Sequence, residues 1–203
     1  MAIVAITITD VLSRAERFFM GKSPVHDAMR HLATTLDGMS IPYAVAGALA
    51  ANVHGHVRTT DDVDILIRQE GLEAFKRAWL GRGWTEVFPG SRGVRDAAHG
   101  VKIDMIITGQ FPGDGRPKPV AFPDPAACSE RRADGIPVVT LPTLLELKIA
   151  SGMTAPHRPR DLDDVIQLIR KNALPASFGV RLHPYVQDKW TELWGLAQIQ
   201  EDA

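Results

Sequence analysis

The run Asp62–Ile67, DVDILI, constrains this chain more than any other stretch. Val63, Ile65, Leu66 and Ile67 are residues of a buried strand, yet Asp61, Asp62 and Asp64 crowd its entrance. Like charges at contact repel by roughly 1–4 kcal/mol, depending on the local dielectric. Side chains alternate along a strand, so Asp62 and Asp64 share one face, roughly 6–7 Å apart, and Asp61 faces away. Asp61 reads as a surface charge or helix cap. A second apolar run, 101–107 (VKIDMII), carries one carboxylate, Asp104, where an unpaired charge is costly. If these strands are neighbours, Asp62, Asp64 and Asp104 meet on one face. Oxygen ligands of this kind suit Mg²⁺ or Mn²⁺ better than Zn²⁺. An ion pair between Asp104 and Lys102 is not expected.

The other segments alternate. Helical spacing marks 8–20 and 24–38, a short strand runs through 41–48 into a glycine turn, and a small helix covers 48–55. Residues 70–83 read as a helix, 84–88 and 136–140 as strands, and 142–152 as a helix with Pro142 at its start. The Gly- and Pro-rich stretch 108–136 reads as a long loop with at most one short strand. Residues 161–174 read as a helix with Asp161 as its N-cap, and 183–198 as a helix whose Trp190 and Trp194 form a packed face. The apolar first residues, MAIVAITITD, read as a strand or helix lead-in. This order implies an α/β or α+β core with a helical C-terminal portion. The division expected is a core at 1–140 and a helical part at 141–203, packed as one domain.

The chain has 203 residues, 45% of them hydrophobic, enough for a full core, and a net charge of −1 that announces no extended nucleic-acid or membrane surface. A single cysteine, Cys128, leaves no internal disulfide and fits a cytoplasmic protein.

Upstream of the paired aspartates, VAGALAANVHG runs strand, Gly47-Ala48, helix. A small-residue turn into a helix N-terminus leaves backbone N–H groups free for phosphate. A phosphate cradle, a carboxylate pair and a later third carboxylate make a site for a nucleoside triphosphate and its metal ions. Several residues keep two readings. Arg58 either forks onto a phosphate or lies on the surface. Lys148 in LLELKIA either reaches phosphate or snorkels from the core. His54 and His56 read as helix-end and loop residues. Asp161 and Asp164 read as cap and dipole partners. Arg116, Lys118, Arg131, Arg132, Arg158 and Arg160 are either solvated or line a cleft for an anionic acceptor such as RNA.

The segment VAGALAANVHGHVRTTDDVDILI resembles the signature of the DNA polymerase β-like nucleotidyltransferases: a small-residue turn, a short helix, Asp-x-Asp on a strand, and a third Asp on a later strand. LPTLLELKIASGMTAPHRPRDLDDVIQLI resembles the toxin-like branch of that superfamily (AbiEii-type and minimal nucleotidyltransferases), where a lysine-bearing helix precedes an Arg-Asp-x-x-Asp helix start. The resemblance spans about residues 40–172. It implies a small mixed sheet flanked by helices. It further implies that Gly47 and Ala48 cradle the triphosphate and that Asp62, Asp64 and Asp104 hold Mg²⁺ or Mn²⁺. Asp104 would also help deprotonate the acceptor hydroxyl. Lys148, with Arg58 and Arg160, would lie near the phosphates. Ala48 departs from the family's usual Gly or Ser, so no hydroxyl is available there. The implied reaction moves a nucleoside monophosphate from an NTP to a hydroxyl on RNA (tRNA) or protein, in a toxin–antitoxin or phage-defence setting with a possible cognate antitoxin. A small aminoglycoside-type acceptor and a non-catalytic nucleotide-binding relative are the alternatives.

Overall fold

The computed structural model describes residues 7–199. The N-terminal lead-in at 1–6 lies outside them, but Thr7 caps the first helix, α1 (Ile8–Phe19), in a reciprocal pair with Asp10. Helix α2 (Pro24–Gly38) buries Val25, Ala28, Leu32 and Leu36, the stripe its spacing prescribes. There follow β1 (Tyr43–Val45), α3 (Gly47–Val53), β2 (Asp62–Ile67), α4 (Gln69–Trp79), β3 (Trp84–Glu86), β4 (Val94–Asp96) and β5 (Lys102–Ile107). The one-turn helix α5 (Pro125–Cys128) leads through β6 (Ser129–Arg131) to β7 (Pro137–Val139). Helices α6 (Leu141–Thr154), α7 (Pro159–Lys171) and α8 (Pro184–Ala197) complete the chain, with a 3₁₀ turn at Ala176–Arg181.

The strands form one mixed sheet in the order β3-β4-β5-β2-β1-β7-β6. Strands β2 and β5 pair in parallel at its centre; β1 runs antiparallel to β2 and parallel to β7. The central pair explains the apolar runs: Val63, Ile65, Leu66, Ile67, Ile103, Met105 and Ile107 are all buried. One continuous core joins the sheet to the C-terminal helices, from Phe18 through to Ala197. Helix α6 buries residues on almost every side because α3, α7 and α8 surround it. Gly152 of α6 is needed at the α7 crossing, where a Cβ would stand 2.4 Å from Leu162. Trp190 is buried and donates Nε1–H to the Ala176 carbonyl, and Trp194 donates to that of Leu174.

The structure departs from the sequence reading in several places, among them the one-turn helix α5 within the stretch read as a loop. Strand β4 was not anticipated. It has three residues, one of them the fully buried Asp96, which is tolerable because His31 and His99 both contact its Oδ2 (2.9 and 2.7 Å) and Ala98 N–H reaches Oδ1. Helix α7 starts at Pro159, so Asp161 sits in its first turn and Arg158 takes the cap position. The expected 70–83 helix stops at Trp79, with Gly81 and Gly83 (φ +78° and +92°) turning the chain into β3.

Candidate active site

The register of the central pair sets the site. Asp62 lies opposite Lys102, and Asp64 opposite Asp104, on one face of the sheet. Beside them the chain leaves β1 and turns into α3. Gly47 has φ +58°, a conformation that favours glycine. A Cβ there would lie 1.8 Å from Asp64 Oδ2, so both the backbone and the space demand glycine. The Ala46 N–H donates to the Asp64 carbonyl at 2.9 Å, fixing the turn against β2.

A cavity of about 530 Å³ opens over this face. All eight residues singled out from the sequence line it: Gly47, Ala48, Arg58, Asp62, Asp64, Asp104, Lys148 and Arg160. The three carboxylates are not drawn tightly together. No choice of one oxygen from each puts all three within 4.8 Å of one another, a spacing met among the described residues by His31/Asp96/His99 and His56/Asp163/Asp164. The outer two have local partners. Thr60 Oγ1–H donates to Asp62 Oδ1 at 2.7 Å, and Lys102 Nζ donates to Asp104 Oδ2 at 2.7 Å. The expectation that Lys102 leaves Asp104 unpaired fails, because residues two apart on a strand share a face. Both members of that pair are about 40% exposed (41% and 38%), which makes it a weak and displaceable contact. Asp64 is the inner carboxylate. Burial, then the charges of Asp62 and Asp104, push its carboxyl up to about 6, and Lys148 and Arg158 only partly counter this.

Lys148 does not snorkel. It is 6% exposed, and its ammonium meets Asp164 at 2.5 Å and Asp161 at 3.2 Å. Arg58 spends its fork on the same carboxylate, Nε to Oδ1 at 2.8 Å and Nη2 to Oδ2 at 2.9 Å. Burial acts to raise the Asp164 carboxyl, but the Arg58 and Lys148 contacts outweigh it and hold it below the usual carboxylate range. Asp161 does not cap its helix: it accepts from Lys148 and from Ser151 Oγ–H at 2.6 Å. Thus α7 supplies two carboxylates that orient the α6 lysine and the Arg58 guanidinium at the cavity wall.

Of the cations proposed to line a cleft, Arg158 and Arg160 do so, exposed at the rim with His157. Lys118 is instead tucked against Asp114 and Thr154, Arg131 pairs with Asp37, and Arg132 points at His54. His54 Nε2 lies 2.8 Å from the Val139 carbonyl, a structural contact. Thr60, Ser151 and Phe122 also line the site and were not foreseen. The Thr60 hydroxyl had a signal in TTDDVD, two residues from the Asp62 it serves; Ser151, ten residues from the Asp161 it serves, and Phe122 had none.

No family model and no curated protein matches the sequence. Solved structures do match the fold. The crystal structure of ANT(2'')-Ia in complex with adenylyl-2''-tobramycin superposes with TM-score 0.50 at 11% identity, covering 84% of this chain and 95% of that one. The solution structure of ANT(2'')-Ia gives 0.49 at 13% identity over 83% and 92% of the two chains. An antigenic nucleotidyltransferase-like protein from Paracoccidioides brasiliensis gives 0.46 at 15% identity over 70% and 74%. The mixed seven-stranded sheet, with helices on its faces, is that of the nucleotidyltransferase fold.

Proposed function

We propose that this protein transfers a nucleoside monophosphate from an NTP to an acceptor hydroxyl and releases pyrophosphate. The observation that carries the reading is the β2/β5 register, which sets Asp62, Asp64 and Asp104 on one face against the Gly47 turn. An all-oxygen donor set, with Asp64 raised to about 6 by burial and then by the charges of Asp62 and Asp104, fits Mg²⁺ or Mn²⁺. When bound, such ions supply Lewis acidity at the acceptor oxygen and charge for the leaving phosphates. The protein's own groups position and neutralise. The Gly47 and Ala48 N–H groups, at the start of α3, face the triphosphate. Lys148, oriented by Asp164 and Asp161, and Arg158 and Arg160 at the rim add positive charge on that side. Arg58 serves indirectly, because its fork is committed to Asp164. Ile106, Phe122, Leu144 and Leu147 give the same cavity an apolar wall.

RNA, the acceptor that the toxin-like resemblance implies, is the reading adopted, with the rim cations Arg158 and Arg160 assigned to the triphosphate. A toxin–antitoxin setting, with a cognate antitoxin, is supported by the resemblance of the 141–169 segment. A small-molecule acceptor is the second reading, supported by the ANT(2'')-Ia structure, which holds an adenylylated tobramycin. The test is incubation with each α-labelled NTP, Mg²⁺ and either total RNA or tobramycin. Label should enter RNA with the native protein and be lost with Asp62→Asn. Label in tobramycin alone selects the second reading, and label in neither, despite NTP binding, marks a nucleotide-binding protein.

A further inference from the structure

A second cavity, of about 760 Å³, lies beneath α1 and was not visible in the sequence. Its walls bring together four cations from separate parts of the chain: Arg14 and Arg17 of α1, Arg95 of β4 and Lys102 of β5. Two carboxylates meet them: Asp61, which is 99% exposed and 3.9 Å from Arg14, and Asp104, 2.7 Å from Lys102. In a chain of net charge −1 this is a local concentration of positive charge. Val11, Phe18 and Val101 give the cavity an apolar floor.

The cavity adjoins the carboxylate face at Thr60. Thr60 lines both cavities, and its hydroxyl holds Asp62. Lys102 lines the second cavity, and its ammonium holds Asp104, which lines the first. On the nucleotidyl-transfer reading above, the two sides of the site have different tasks. The triphosphate side is the Gly47 turn with Lys148 and Arg158. Attacking and leaving oxygens stand roughly in line across the transferred phosphorus. The acceptor therefore enters from the other side, where Lys102 and Thr60 open into the basic cavity.

We propose that the groove beneath α1 is the acceptor channel and that it takes a nucleic-acid strand, delivering a strand hydroxyl to the Asp104 side of the carboxylates. Four dispersed cations over an apolar floor suit a chain of phosphates with bases between them. A small cationic acceptor would meet repulsion along this path. Phosphate contacts of this kind make binding salt-dependent, and each cation removed flattens the slope.

The experiment is fluorescence anisotropy of a labelled single-stranded RNA oligonucleotide against the full chain, from 50 to 200 mM KCl, without NTP. Arg14→Glu/Arg17→Glu and Arg95→Glu should each weaken binding at least tenfold and flatten the salt slope. Lys189→Glu, on the far α8 surface, should change neither. The melting shift caused by ATP and Mg²⁺ is measured on every variant, and it should match the native protein. Single Arg17→Gln and Arg95→Gln variants replace the charge reversals if those lose the shift. RNA binding that is undiminished in the variants, or absent from the native protein while ATP still binds, overturns the channel and leaves nucleotidyl transfer standing. Absence of the ATP–Mg²⁺ shift from the native protein counts against the transfer reading instead.

Discussion

At the scale of single residues, Gly47 and Asp64 form one unit. Replacing Gly47 by alanine asks for a left-handed backbone, costing about 1–2 kcal/mol, and pushes a methyl into Asp64 Oδ2. Gly47→Ala should lower the denaturation midpoint measured in urea and also weaken Mn²⁺ binding, because the carboxylate must move. An alanine variant with native stability and native Mn²⁺ affinity would show the close approach to be incidental. Asp64 carries the opposite kind of strain. Its folded carboxyl sits near 6, above the ordinary value of about 3.8. The folded state therefore holds the proton more tightly, and stability without metal falls as pH rises from about 4 to 6, then stays level. Asp64→Asn should raise the metal-free melting temperature at pH 7.5, by a stability gain of up to about 3 kcal/mol, with the gain vanishing near pH 4. Thermal melts across this range check the sign.

At the scale of elements, α6 and α7 are joined by charge as well as by packing. Asp164 is 1% exposed and holds both Arg58 and Lys148. Removing it leaves two cations without their buried partner, a change that costs about 3–5 kcal/mol in such pairs. Asp164→Ala should be destabilised by that order in chemical denaturation. Because the Asp164 carboxyl is held low, its contribution is present above about pH 4 and is lost as pH falls through its lowered folded value. The gap between native and variant should therefore narrow in acid. A gap that is constant down to pH 2 would deny the network this role. The helices themselves were legible in the sequence, since their apolar spacing and their prolines are local signals. Their joint function was not. Asp161 and Asp164 have the composition of a helix start, and the reach of Lys148, thirteen and sixteen residues before them, depends on the α6–α7 crossing. Strand β4 was illegible for a related reason: Asp96 looks like a loop residue until His31, 65 residues away, joins the nearby His99 in covering it.

At the scale of the whole molecule, the centre of the sheet and the edge strand β3 could be read, and β4 could not. DVDILI and VKIDMII are apolar enough to demand burial on both faces, and that made Asp62, Asp64 and Asp104 conspicuous. Strand β4 has three residues and little hydrophobic pattern to mark it. The basic groove was invisible because its cations lie at positions 14, 17, 95 and 102 and meet only through folding. The assembled cavity also makes a thermodynamic prediction. A ligand at 100 times its dissociation constant adds about 2.7 kcal/mol to stability, roughly 5–10 °C for a chain of this size. ATP with Mg²⁺ should produce a shift of that order, and ATP without a divalent ion much less.

The central claim is that the side chains at 62, 64 and 104 serve jointly as ligands for divalent ions. Electron paramagnetic resonance of free Mn²⁺, titrated with protein at pH 7.5, measures this without any substrate. The native protein should deplete the free-ion signal, and Asp62→Asn and Asp104→Asn should each weaken that binding at least tenfold while keeping the native circular dichroism. Equal depletion by all three proteins would contradict the account.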